Sequence, residues 1–123
     1  MELIIAPMAR NDIANILAWT AENFGPQMLR RYGKLIATAM EQVAANPELA
    51  GSYPRPEIAA PCRTYHLHFS RKSAGRASDR VRRPRHFLLY RVTESGAVEI
   101  GRVLHDSMEL KAHLPEEYHH SPE

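Results

Sequence analysis

At 123 residues, with 44% apolar and 24% charged side chains, the chain has the size and composition of one soluble globular domain and is too short to build a second core. No apolar run approaches the ~18 residues of a membrane span, no signal-peptide pattern opens the sequence, and the single Cys62 excludes an internal disulfide, so a reducing cytoplasm is the expected compartment. The net charge of +2 hides an asymmetry: residues 1–62 carry five Lys/Arg against six Asp/Glu, residues 63–123 carry eleven against eight, and residues 71–85 alone hold seven against Asp79. Such local basicity marks a partner-facing surface rather than a generally cationic protein.

In chain order, residues 2–6 read as a short β-branched strand, and Pro7 suits the first turn of a helix, where its missing N–H is not needed. Ile13, Ile16, Leu17 and Phe24 then fall near one helical face, flanked by Trp19 and Thr20, until Gly25-Pro26 breaks the helix. The second helix carries a stronger stripe of Leu29, Tyr32, Leu35, Ile36, Ala39, Met40, Val43 and Ala44, and Asn46-Pro47 ends it. Arg30, Arg31 and Lys34 lie off that stripe, as a solvated face does.

Residues 47–62 form a proline-rich connector. From 64 to 70 the chain alternates, with Tyr65, Leu67 and Phe69 on one face and His66 and His68 on the other, which predicts a half-buried strand. The runs FLLYRV and VEIGRVL, on either side of Thr93-Glu94-Ser95-Gly96, predict a hairpin. Residues 106–114 are consistent with one or two helical turns, and 115–123 read as a flexible tail after a single domain spanning 1–114. The predicted fold is α+β, ordered β-α-α-β-β-β, with an αα-hairpin packed on a small, mainly antiparallel sheet.

Three groups of side chains bear on function. The segment 71–85 presents Arg71, Lys72, Arg76, Arg80, Arg82, Arg83 and Arg85 without an aromatic residue, a composition suited to phosphate backbones, to an acidic protein partner or to a solvated loop, but not to base stacking. His66 and His68 can offer two ligands but nothing completes a metal site, so no metal is expected, and Cys62 reads as a packing or surface residue. At the end of the hairpin stand Arg102, His105 and Asp106, with Arg63 at the start of an earlier strand. An imidazole with guanidinium groups can move a ribose 2′-hydroxyl proton and stabilise phosphorane charge without metal, yet strand ends also carry such groups as plain edge chemistry.

The order and spacing of "ARNDIANILAWTAENFG", "RTYHLHFS", "RHFLLYRV" and "VEIGRVLHDSMEL" resemble the RelE/ParE superfamily of bacterial toxins, over about residues 3–114, and the "RVLH" strand end resembles its ParE branch. The resemblance implies a growth-inhibiting, plasmid-stabilising type II toxin without cofactor, neutralised by a cognate antitoxin through which the complex contacts operator DNA. It further implies DNA gyrase as the ParE-like target, with Arg63, Arg102, His105, Asp106 and the basic residues of 71–85 as the target- or partner-binding set and no catalytic residue. The alternatives are a RelE-like ribosome-dependent mRNA interferase, a metal-independent endoribonuclease using His105 with Arg63 and Arg102, and a degenerate member retaining only antitoxin binding. Asp106 stands where such nucleases carry Arg or Tyr, and an acid there repels a scissile phosphate.

Overall fold

The computed structural model describes residues 1–59 and 61–108. Its elements are β1 (Leu3–Ile5), α1 (Pro7–Ala45), β2 (Ser52–Pro54), β3 (Arg63–His66), 3₁₀ turns at Leu67–Ser70 and Ala77–Asp79, β4 (His86–Val92) and β5 (Val98–His105). The five strands form one sheet in the order β1-β5-β4-β3-β2, parallel only between β1 and β5. This is an α+β arrangement with helix on one sheet face. The expected last helical turns and tail fall largely on residues 109–123, outside the described residues.

Pro7 occupies the first turn of α1, and Asn46 caps its end with a backbone N–H donated to the Gln42 carbonyl. Helical backbone geometry is interrupted at Gly25, whose φ of 86° and ψ of 174° belong to a region reserved for glycine, just before Pro26. A Cβ added at Gly33 would lie 3.8 Å from the Leu17 side chain. In a straight helix those positions stand roughly 24 Å apart, so the two arms of α1 fold back on each other at Gly25.

Seven of the eight stripe residues on the second arm are buried; Leu29 is half-buried. They pack against Tyr65, Leu88, Tyr90, Val98, Ile100 and Val103 of the sheet, and full burial of each such aliphatic side chain contributes ~1.5–3 kcal/mol. On the first arm Ile13, Ile16 and Leu17 join this core, but Phe24, placed by the spacing on the same face, is 63% exposed and stacks edge-on against exposed Trp19. The helix breaks at Gly25, directly after Phe24, so Phe24 ends the first arm beside Trp19.

The connector after α1 contributes β2, an edge strand where its proline-rich composition predicts only a link. The predicted strand at 64–70 is cut short at His66. There the imidazole Nδ1 accepts the His68 backbone N–H at 3.1 Å and turns the chain into a 3₁₀ segment. Leu67 stays buried, whereas Phe69 turns out to 43% exposure and lies over Gly51.

The β4–β5 hairpin turns where expected, with Thr93 and Ala97 bonded and Gly96 at φ 86°. Its register shifts at Leu89/Tyr90: Tyr90 faces Ile100 but Leu89 faces Arg102, leaving Gly101 as the extra residue of a bulge. Without the bulge His86 would face Leu104. With it, His86 faces His105.

Candidate functional site

The side chains singled out at the hairpin end go to three places. Arg102 lies within β5 rather than at its end, and forks onto Asp12 of α1, with Nε to Oδ2 at 2.7 Å and Nη2 to Oδ1 at 2.9 Å. The same carboxylate accepts the Val103 backbone N–H at 3.0 Å, which β1, ending at Ile5, does not reach. Asp12 thus closes the open edge of β5, and its hydrogen bond raises the Arg102 pKa above the ordinary value.

Arg63 goes elsewhere. It donates from Nε to Ser52 Oγ at 2.8 Å and from Nη2 to the Ser52 carbonyl at 3.4 Å, and Ser52 meets the Tyr90 hydroxyl, which donates to the Pro47 carbonyl at 2.5 Å. Arg63 therefore ties β2 and the end of α1 to β4. It faces Tyr90 while His105 faces His86, a separation of four residues, roughly 13 Å along the strand. Arg102, opposite Leu89, projects from the other sheet face. Neither guanidinium joins His105.

His105 instead belongs to a cluster that the sequence reading missed in part. His86 and His105 rings lie 5.2 Å apart at 87°, and Tyr32 from α1 holds His86 Nδ1 at 2.5 Å while accepting the Arg85 backbone N–H at 3.2 Å. Burial first, then the His105 charge, lowers the His86 pKa to about 4, and burial pushes the Tyr32 hydroxyl up to about 12. At neutral pH the bond therefore joins a neutral hydroxyl to a neutral imidazole. His105 Nδ1 accepts the Ser107 backbone N–H at 3.1 Å and lies 3.6 Å from Asp106.

Asp106 is the hub. Its Oδ1 takes Nε and Nη2 of Arg85 at 3.1 and 3.0 Å, and its Oδ2 takes His66 Nε2 at 3.1 Å. Burial alone would raise its pKa, but the bonds from Arg85 and His66 outweigh that and hold the carboxyl below its ordinary value. The charge of Arg85 is thus already met by Asp106, which is the more buried member of the pair. His66 and Asp106 also line a shallow groove of about 270 Å³ with Tyr53, Arg55, Phe69 and Phe87. Among the described residues no group of three or more His, Cys, Asp or Glu is placed to hold a metal ion.

Cys62 is a packing residue, 3% exposed against Ala59 and Leu89, and burial pushes its thiol up to about 12. The basic segment packs onto the domain. Ala74 and Val81 enter the core beneath it, Arg71 reaches the Arg82 carbonyl and Arg80 the Gly75 carbonyl.

One family model, described as the ParE toxin of the type II toxin–antitoxin system parDE, matches residues 3–110. The chain belongs to the ParE toxin family. The Toxin ParE1 proteins of two Mycobacterium tuberculosis strains, CDC 1551/Oshkosh and ATCC 25618/H37Rv, are each 26% identical to it over 111 residues, covering 90% of this chain and 95% of theirs. The ParE match takes in every element from β1 to β5, the Asp12–Arg102 clamp, the histidine cluster and the basic segment alike. Among the described residues no helix is long and apolar enough to cross a membrane.

Of the residues that build the cluster, His86 is not singled out by the sequence and Tyr32 reads there only as core. A signal for His86 existed: pairing outward from the turn reaches it, and an isolated glycine within a strand run, Gly101, marks a bulge that brings it opposite His105. Tyr32 carried no such signal, since it reads as one more member of the core stripe.

Proposed function

We propose that this ParE-family chain is a cytoplasmic growth-inhibiting toxin that acts by poisoning DNA gyrase, without catalysing a reaction itself, and that a cognate antitoxin binds and silences it. Membership in the ParE family supports the toxin reading. The observation that favours a non-enzymatic mode is the fate of the cations: Arg63 and Arg102 are committed to Ser52 and Asp12, and Arg85 to Asp106, so no guanidinium beside His105 is left to meet a phosphorane. Purified toxin added to a gyrase supercoiling reaction is expected to inhibit it, with relief on adding antitoxin; unchanged supercoiling at molar excess refutes the reading.

A second reading, a ribosome-dependent mRNA interferase, is favoured by one observation. His105 and His66, 35% and 24% exposed at the side chain, flank Arg85 and Asp106 at the end of the sheet. That reaction would have to draw its cation from Arg85, not from Arg63 or Arg102. The third possibility, a member that only binds antitoxin, predicts induced expression without growth arrest.

A further inference from the structure

We propose that the segment 71–85 and the second arm of α1 together form a direct binding surface for the sugar–phosphate backbone of duplex nucleic acid. The inference goes beyond the toxin reading and does not depend on which enzyme is the target. It also departs from the expectation that DNA is contacted only through the antitoxin.

The case starts from what the fold joins. Ala74 and Val81 pack into the core against the helical stripe, and the Arg85 backbone N–H reaches Tyr32, so the basic segment lies along the second arm of α1. That arm exposes Arg30 and Lys34, one turn apart, and the segment exposes Lys72, Arg76, Arg82 and Arg83. These six cations make no ion pair among the described residues. Asp79, the lone acid of the segment, is paired with Arg31 at 3.5 Å.

The kind of partner follows from what the surface lacks. Protein interfaces are organised around buried apolar or aromatic anchors, and this segment has none to offer: Ala74, Val81 and Pro84 are buried, and apart from Asp79 its remaining members are small or cationic. Without aromatic rings it cannot stack unpaired bases, which disfavours a single strand. What remains are guanidinium groups in a folded frame, held by the Arg71–Arg82 and Arg80–Gly75 contacts. Arginine forks match phosphate oxygens in pairs, and each neutralised phosphate releases counterions.

The test is fluorescence anisotropy of a short labelled duplex of arbitrary sequence, titrated with the full chain over a range of salt concentrations. Expected is binding that weakens about 10²–10³-fold between roughly 50 and 200 mM salt, as four to six phosphate contacts require. The triple variant Arg76→Ala/Arg82→Ala/Arg83→Ala should lower the log–log salt slope by about 3 while leaving the melting temperature unchanged. Arg82→Lys/Arg83→Lys should keep the slope, and Arg55→Ala, on the opposite sheet face, should change nothing. No binding at low salt, an unchanged slope in the triple variant, tighter binding to the single strand, or displacement of the duplex by polyglutamate at equal charge would each overturn the proposal. Gyrase is absent from this assay, so its failure and the failure of the gyrase reading are separable.

Discussion

Asp12 and Arg102 lie 90 positions apart in sequence and are joined by a two-pronged ion pair whose side chains are 12% and 13% exposed. Because Asp12 also takes the Val103 backbone N–H, the pair fixes the start of α1 to the stretch of β5 that β1 leaves uncovered. Removing Asp12 takes the carboxylate fork from a mostly buried guanidinium and the acceptor from an edge N–H together. Asp12→Ala is expected to cost about 2–4 kcal/mol of unfolding free energy, read from urea midpoints at constant slope. A loss within the range of an ordinary surface substitution would make the clamp incidental.

The depressed pKa of His86 sets a direction for acid sensitivity. The unfolded chain protonates His86 near 6.5, whereas the folded state resists until about 4. Between those values the unfolded state holds more protons, so stability is complete above pH 6.5 and falls as the pH drops toward 4. Discounted for partial exposure, the effect is about 1–2 kcal/mol. Comparing urea midpoints at the two ends of that window checks it, and His86→Gln should flatten the profile. A wild-type profile as flat as the variant's would mean that burial beside His105 does not hold His86 neutral.

Two glycines in α1 make opposite predictions. Gly25 needs its φ of 86°, although an added Cβ would meet nothing within 4 Å. Gly25→Ala should therefore destabilise by about 1–3 kcal/mol through backbone strain alone. Gly33 is helical, and its added Cβ would make ordinary contact with Leu17 at 3.8 Å. Gly33→Ala should be neutral or stabilise by up to ~1 kcal/mol. Thermal melts of both variants, moving in opposite directions, would support a hairpin hinged at Gly25; two equal shifts would not.

Cys62 should behave as an inert thiol. With its pKa pushed to about 12 by burial, almost no thiolate exists at pH 8, and the side chain is shielded. Alkylation by iodoacetamide should be at least tenfold slower in the native protein than in urea. Equal rates would show that the loop over Leu89 opens freely.

Much of this was legible before folding was considered. The stripe from Leu29 to Ala44 has helical period over five turns, and Pro7, Gly25-Pro26 and Asn46-Pro47 are punctuation with mechanical causes. What was misread turned on local competition or distance. The alternation at 64–70 fits a strand, but a single imidazole bonding two residues ahead diverts it into a 3₁₀ turn. β2 has only three residues and ends in Pro54, so it lacks the alternation that announces a strand and is tolerable only at a sheet edge. Arg102 read as part of an active-site constellation because its neighbours in sequence are His105 and Asp106; its actual partner comes from the other end of the chain, and no local pattern encodes that.

The most direct measurement follows plasmid topology and mRNA integrity in the same cells after induced expression of the wild type and of His105→Ala. The account predicts growth arrest by both proteins, with disturbed plasmid supercoiling and intact mRNA. Intact plasmid topology with cut mRNA, lost in His105→Ala, would contradict it and make the histidine cluster a catalytic site.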